Sequence, residues 1–142
     1  MKYLRKLILA CVVILTVSSC STVPLYRLPS ESTANCATIF QSESSLGVYE
    51  VDGIRAVTTW QVISRDLPSE TKLAPGKHTI VTIMLNGGAD VFTSLWLVAE
   101  PNKRYLLRQE FTGNNMVHFW FEDLSNGKVL VGLTGSVDEP AK

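Results

Sequence analysis

The sequence predicts an all-β fold, a compact antiparallel β-sandwich of about seven or eight strands over residues 36–133. Apolar and polar residues alternate with period two through several stretches of this region, which is typical of half-buried strands. Clusters of Gly, Pro, Asn and Asp separate these stretches, as turns do. A domain of about 100 residues can bury a single core without metals or disulfides. A partly closed β-barrel is the alternative arrangement.

The first strands are predicted from their alternation and from one strong turn. Ala37–Gln41 is predicted to be the first strand, and a second at 47–51 leads through Asp52-Gly53 into a further segment at 54–57. Asp-Gly between apolar runs favours a tight hairpin, because both turn positions tolerate positive φ. Residues 58–65 also alternate apolar and polar side chains, which predicts another strand.

The remaining strands lie between further turn signals. Pro75-Gly76 suits a type II turn, in which proline presets φ and glycine supplies a positive φ. Asn102, in the turn at 100–103, tolerates the left-handed conformation better than most residues. The strands predicted around these turns cover residues 79–85, Val91–Ala99, 105–111, 116–124 and 128–132.

Alternation along residues 116–124 assigns the side chains to two faces. The face predicted to be core carries Val117, Phe119 and Phe121. The opposite face carries His118, Trp120 and Glu122. A large aromatic beside a histidine and a carboxylate can contact a sugar, a peptide or a partner protein, so these three residues are a candidate interaction surface. Packing of Trp120 on a neighbouring strand is the alternative, and Trp60 and Trp96 are predicted to be core.

The N-terminus has the order of parts that a secretory signal requires. Three basic residues precede an apolar run at 7–17, and the small residues Ser18 and Ser19 follow it. A transmembrane helix needs about 20 apolar residues, and this run is shorter. Residues 1–19 are therefore predicted to be a cleaved signal peptide.

Val17-Ser18-Ser19-Cys20, an aliphatic and two small residues before a cysteine, resembles the lipobox of bacterial lipoprotein signals. The resemblance implies cleavage between Ser19 and Cys20, a diacylglycerol on the Cys20 thiol and acylation of the new amine. Two or more acyl chains hold a protein stably on a membrane. Ser21 stands where an aspartate would favour the inner membrane, which implies an outer-membrane protein facing the periplasm of a Gram-negative cell.

The rest of the chain divides into a tether at 20–35, a domain at 36–133 and a polar tail at 134–142. The tether is rich in Ser, Thr and Pro, which favours flexibility. Loss of Lys2, Arg5 and Lys6 with the signal leaves ten basic against thirteen acidic residues, a net charge of −3. This balance excludes nucleic-acid binding, which depends on Lys and Arg contacts to phosphate.

Cys36 is the one cysteine left to the oxidising compartment, since Cys11 leaves with the signal and Cys20 carries the lipid. We expect Cys36 to be buried and inert, because free cysteines are among the most buried residues. An intermolecular disulfide is the alternative. The oligomeric state stays open, because Cys36 or an unpaired sheet edge could join two copies.

The sequence carries none of the G-x-S-x-G, H-E-x-x-H, C-x-x-C or phosphate-loop patterns. His78 and His118 stand 40 residues apart, and His118 with Glu122 makes a poor metal site because four residues of a strand span about 13 Å. Glu122 and Asp123 point to opposite faces, so we expect solvated charges rather than an acid–base pair. No catalytic residue, metal site or cofactor is predicted beyond the lipid on Cys20.

Three turn-bearing segments carry a further resemblance: Val51-Asp52-Gly53, Leu73-Ala74-Pro75-Gly76-Lys77-His78-Thr79-Ile80, and Ala99-Glu100-Pro101-Asn102-Lys103-Arg104-Tyr105. Their order resembles that of small proteobacterial lipoproteins with PEGA-like β-sandwich domains. Asn102 departs from the pattern, which more often has glycine there. The resemblance covers roughly residues 36–133 and implies a β-sandwich that acts as an envelope binding or accessory module.

These features together predict a non-catalytic interaction or accessory module, anchored to the outer membrane by lipid and engaging an envelope partner protein. The alternative is a protein that binds a small ligand or has an unrecognised hydrolytic site. That alternative requires a concave pocket with convergent polar groups.

Overall fold

The computed structural model describes residues 25–28, 35–112, 116–130 and 132–133. Within these residues nine strands form two sheets, and one short helix lies between the third and fourth strands. The elements are β1 (Ala37–Gln41), β2 (Leu46–Val51), β3 (Ile54–Arg55), α1 (Thr59–Ser64), β4 (Glu70–Leu73), β5 (Gly76–Met84), β6 (Val91–Ala99), β7 (Arg104–Thr112), β8 (Met116–Asp123) and β9 (Lys128–Leu130). The predicted all-β sandwich is confirmed, with a strand count slightly higher than predicted.

The five-stranded sheet has the order β4-β1-β7-β8-β9. Strands β7 and β8 form its longest hairpin, which runs from Tyr105 opposite Asp123 to Thr112 opposite Met116. Strand β1 pairs with β4 in antiparallel orientation and with β7 in parallel orientation. The sheet is therefore mixed, and the β1–β7 pair is a departure from the antiparallel sandwich predicted.

The four-stranded sheet has the order β3-β2-β5-β6. Its β2–β3 hairpin turns at Asp52 and Gly53, whose φ angles are 51° and 82°. Positive φ at both positions is what a two-residue type I′ turn requires, which confirms the hairpin predicted from Asp-Gly. The Asp52 amide donates to the Thr79 carbonyl at 2.8 Å and holds this turn against β5.

The main core lies between the two sheets. Every long strand contributes to it, and its largest buried side chains include Ile39, Leu46, Ile80, Leu95, Tyr105, Leu107 and Phe121. Burying one large apolar side chain stabilises a fold by about 1.5–3 kcal/mol, so this cluster dominates the stability of the sandwich. Phe119 is buried as predicted, and Val117 is half-buried against the same cluster.

Residues 58–65 contain a helix where the alternating pattern predicts a strand. Thr58 and Gln61 form a capping box: the Gln61 amide donates to the Thr58 hydroxyl at 3.1 Å, and the Thr58 amide donates to the Gln61 side-chain oxygen at 2.8 Å. Arg65 ends the helix in the left-handed conformation, with φ of 58°. The prediction of a strand is wrong because these two caps outweigh a short alternation of apolar residues.

Helix α1 packs on the outside of the four-stranded sheet. Val62 contacts a second cluster, whose buried members are Val57, Leu67, Ile83 and Leu85. Trp60 lies on the opposite side of the helix and is 72% exposed. The prediction that Trp60 is a core residue is therefore wrong, because helical periodicity turns this side chain towards solvent.

Several strands differ from their predicted ranges, among them β4, β3 and β9. Strand β4 was not predicted, because its sequence Glu-Thr-Lys-Leu offers one buried apolar residue, Leu73. Strand β3 ends at Arg55, since the chain then turns towards α1. Strand β9 ends at Leu130, since the chain then leaves the five-stranded sheet.

An N-terminal segment closes one side of the sandwich. Leu25 pairs with Arg55 of β3, and the Tyr26 amide donates to the Arg55 carbonyl at 2.5 Å. Residues 26–28 then lie beside residues 68–72, where β4 begins. These four residues belong to the predicted tether, and here they bridge the outer strands of the two sheets.

A C-terminal segment closes the other side. Leu133 pairs with Leu95 of β6, and the Trp96 amide donates to the Gly132 carbonyl at 2.7 Å. Trp96 is half-buried over Gly132, and it lies on the outer face of the four-stranded sheet rather than in the core that was predicted. The chain thus crosses from β9 to β6 and joins the two sheets.

Cys36 lies one residue before β1 with a free thiol and is half-buried, whereas the sequence predicts full burial. Asn102 has φ of 61°, the left-handed conformation that the sequence predicts for this turn. Among the described residues, no helix is long and apolar enough to cross a membrane.

Candidate functional site

Strand β8 has an open edge along its first half. Strand β9 pairs with residues 121–123, and no described strand lies beside residues 116–120 on the side away from β7. The Leu124 amide donates to the Arg104 carbonyl at 2.9 Å. The even-numbered residues of β8 therefore direct their N–H and C=O groups towards β7. Because alternate residues of a strand face the same neighbour, Val117 and Phe119 direct their N–H and C=O groups towards the open edge.

An apolar groove of about 480 Å³ runs along this edge. It lies where the outer strands of the two sheets face each other. Its lining residues are Thr93 of β6, Glu110 of β7, Val117, His118, Phe119 and Trp120 of β8, Val129 of β9, and Leu133. The volume is in the range of ligand-binding clefts, and most of the lining is apolar, with Glu110 and His118 as the titratable groups.

The three residues of the predicted interaction surface share the outer face of the five-stranded sheet. His118 is exposed and stands opposite Glu110, while Trp120 is half-buried and stands opposite Arg108. Glu122 accepts a hydrogen bond from the Arg108 guanidinium and does not line the groove. The structure therefore brings two of the three side chains to the groove and places Glu122 in an ion pair.

A polar cluster at the far end of β8 is built around Asp123, which is 5% exposed. The Ser125 hydroxyl and amide donate to Asp123 Oδ1 at 2.6 and 2.8 Å, and Lys103 Nζ donates to Oδ2 at 2.9 Å. The hydrogen bonds from Ser125 and Lys103 lower the pKa of Asp123 to about 2. The prediction that Glu122 and Asp123 are solvated charges is wrong, because each is held by a basic side chain.

This cluster lines a cleft of about 380 Å³ together with Tyr105. Lys103 Nζ lies 2.8 Å from Ser125 Oγ, and a serine beside a lysine is one arrangement of nucleophile and base. The hydrogen bond to Asp123 raises the pKa of Lys103, whereas a general base must be neutral. The contacts therefore hold the β8–β9 turn rather than activate Ser125.

Burial also shifts the pKa of Tyr105, the tyrosine of this cleft. The Tyr105 hydroxyl accepts a hydrogen bond from the Glu100 amide at 3.1 Å, and burial raises the Tyr105 pKa. A tyrosine with a raised pKa keeps its proton at neutral pH. It acts here as a hydrogen-bonded part of the core at the β6–β7 turn.

His78 is buried between two turns and has a structural role. Its Nδ1 lies 2.6 Å from Asp52 Oδ2, and its Nε2 lies 2.7 Å from the Ala74 carbonyl oxygen. Both ring nitrogens are engaged, which leaves neither for a metal ion. In the described part of the chain, no group of three or more His, Cys, Asp or Glu side chains is placed to hold one.

Sequence reasoning missed most of the groove and all of the Asp123 cluster. Asp123 precedes Ser125 by two residues, and this Asx-turn spacing is the signal that could have indicated its hydrogen bonds. The groove has no local signal, because it depends on where β9 ends and on how closely β6 approaches β8. Ser19 and Cys20, the predicted cleavage and lipidation residues, lie outside the described residues.

Comparison with known proteins adds no relative: no family model, curated protein or solved structure matches this chain. The resemblance to PEGA-like lipoproteins stays a prediction.

Proposed function

We propose that the chain is a lipid-anchored accessory module of the bacterial cell envelope, which takes an extended peptide segment of a partner protein onto the open edge of β8. The open edge is the observation that carries the proposal, since Val117 and Phe119 present two amides and two carbonyls beside an apolar groove. Natural proteins blunt such edges with charges or proline, because they invite strand addition. Residues 116–120, Met-Val-His-Phe-Trp, contain neither proline nor an acidic or lysine side chain.

The lining of the groove also supports a particular chemistry for the partner. In strand addition the main chain supplies affinity, and pockets for alternate side chains supply specificity. One set of partner side chains would contact Val117 and Phe119, and the other set would contact Trp120 and Val129. Glu110 at the groove favours a Lys or Arg in the partner. The partner segment is an extended stretch with apolar residues at alternate positions and one basic residue.

The proposed location of the module at the outer membrane rests on the sequence. The lipobox-like residues 17–20 support cleavage after Ser19 and lipidation of Cys20, and Ser21 supports the outer membrane. The segment nearest the anchor closes the β3 and β4 side of the sandwich, whereas the groove lies on the β6 and β8 side. The two sides are opposite each other, so anchoring leaves the groove free for a partner.

A proline at the open edge tests the proposal. Val117→Pro removes an amide that points to the edge, a position where strands tolerate proline, so the fold should persist. Lys72→Pro is the matched control. The Gln41 amide donates to the Ser69 carbonyl at 3.4 Å, so by alternation the Lys72 amide points away from β1 on the outer edge of β4.

The readout is photo-crosslinking in cells from a benzoylphenylalanine at position 116, followed by mass spectrometry of the products. We expect cross-links to an envelope protein in the wild type and in Lys72→Pro, and their loss in Val117→Pro at an unchanged unfolding midpoint. Retention of the same cross-links in a folded Val117→Pro protein would refute strand addition, as would the absence of cross-links in the wild type.

A further inference from the structure

Helix α1 presents two large apolar side chains to solvent. Trp60 is 72% exposed and Ile63 is 68% exposed. Residues three apart lie on the same side of a helix, so the two side chains form one surface. Val62 faces the sheet and holds the helix in place. Exposure of a tryptophan and an isoleucine side by side is typical of a surface that contacts another protein or a membrane.

The same surface lies next to the point where the N-terminal segment reaches the domain. Leu25 pairs with Arg55, and the Arg55 guanidinium donates to the hydroxyl of Thr59, the first residue of α1, at 3.4 Å. Trp60 follows Thr59 directly. Leu25 and Ile54, at the same end of the sheet, are also exposed apolar residues.

The length of chain before Leu25 sets how far this surface can lie from the anchor. Leu25 is five residues after Cys20. A fully extended chain rises at most about 3.6 Å per residue, so this segment spans no more than about 18 Å. A lipid on Cys20 would therefore hold Leu25, and with it α1, close to the bilayer surface.

We propose that Trp60 and Ile63 dock on the surface of the bilayer that holds the Cys20 lipid, and so orient the domain with the β8 edge away from the membrane. This inference rests on the lipid anchor of the proposed function. Tryptophan is enriched at membrane interfaces, where its ring meets the acyl boundary and its N–H stays hydrated. Arg65 and Asp66 beside the helix carry opposite charges and Arg55 adds one positive charge, so we expect apolar contact to contribute more than charge attraction to the docking.

Hydroxyl-radical footprinting of the three tryptophans tests the docking within one molecule. The lipidated chain is reconstituted in vesicles of phosphatidylethanolamine and phosphatidylglycerol, and the soluble Cys20→Ser chain without its signal serves as reference. Burial of one large apolar side chain is worth about a tenfold change in an equilibrium. We expect Trp60 to be oxidised about tenfold more slowly on vesicles than in the soluble chain, with Trp120 unchanged, at low and high salt alike.

Ile63→Ser should return the oxidation rate of Trp60 on vesicles most of the way to the soluble value. Phe111→Ser is the matched control, since Phe111 is 60% exposed and lies on β7, away from α1. Equal oxidation of Trp60 on vesicles and in solution, in a chain whose mass shows the lipid, would overturn the docking and leave the anchor standing. Protection of Trp60 in cells but not on vesicles would also overturn it, because a protein would then cover the surface. A chain that carries no lipid on Cys20 would overturn both the anchor and the docking.

Discussion

Replacing Gly132 by alanine is predicted to destabilise the domain through a clash with Trp96. A Cβ atom on Gly132 would lie 2.6 Å from Trp96 Cε2 and 2.8 Å from its Cδ2 and Nε1. The backbone has little freedom to retreat, because the Gly132 carbonyl accepts a 2.7 Å hydrogen bond from the Trp96 amide and Leu133 pairs with Leu95. The Trp96 ring must therefore shift, and this strains residues 132–133, of which Leu133 lines the groove.

Two opposing effects set the size of the change. Overpacking of this kind costs about 1–3 kcal/mol. Alanine also lowers the conformational entropy of the unfolded chain, which stabilises the fold by about 0.4–1 kcal/mol. This gain applies here because the Gly132 backbone is not in the positive-φ region and suits alanine. The difference is a net loss of roughly 0–2.6 kcal/mol, with a central value of about 1.3 kcal/mol. For a domain of this size each kcal/mol lowers Tm by about 4–8 °C.

A double-mutant cycle separates the clash from every other effect of the alanine. Urea unfolding followed by circular dichroism gives the free energies of the wild type, Gly132→Ala, Trp96→Ala and the double variant. In the Trp96→Ala background the clash is gone, so Gly132→Ala should stabilise by about 0.4–1 kcal/mol. The same effect of Gly132→Ala in both backgrounds would show that the ring contact is not the cause.

Three further changes test other parts of the account. Asp123 is ionised in the fold at a lower pH than in the unfolded chain, so the stability it contributes should be lost as the pH falls from 3.8 towards 2; Ser125→Ala should shrink that loss in melts recorded across this pH range. Thr58→Ala removes the capping box and should cost about 0.5–2 kcal/mol in urea unfolding, whereas an unchanged midpoint would mean that α1 does not need its cap. Asn102→Val should cost about 1–2 kcal/mol because its φ is 61°, while Asn102→Gly should leave Tm unchanged or raised; equal melts for the two variants would contradict this.

Much of the sandwich was predictable because its signals are local. Asp52-Gly53 favours a type I′ turn through its own backbone preferences. The alternation of apolar and polar residues predicts both ends of the strand Val91–Ala99 correctly. The parallel pairing of β1 with β7 was not predictable in this way, because it joins segments distant in the chain. Helix α1 was missed because apolar positions at 60, 62 and 63 fit both periods, and the Thr58 to Gln61 cap decides between them.

The candidate site was predictable only on one face of one strand. Alternation correctly separated His118 and Trp120 from the buried Phe119. The open edge depends on β9 ending at Leu130 and on the crossing of residues 132–133 to β6, and neither has a signal in β8 itself. Burial of Asp123 likewise depends on Lys103 across the sheet.

The central claim is a lipid-anchored module of the envelope, and intact-mass measurement of the protein purified from fractionated membranes tests it most directly. We expect a chain that begins at Cys20, carries three acyl chains and sediments with the outer membrane, and a Cys20→Ala chain that is neither processed at this site nor lipidated. An unlipidated, soluble mature chain would contradict this, because the anchor would then be absent and α1 would have no bilayer on which to dock.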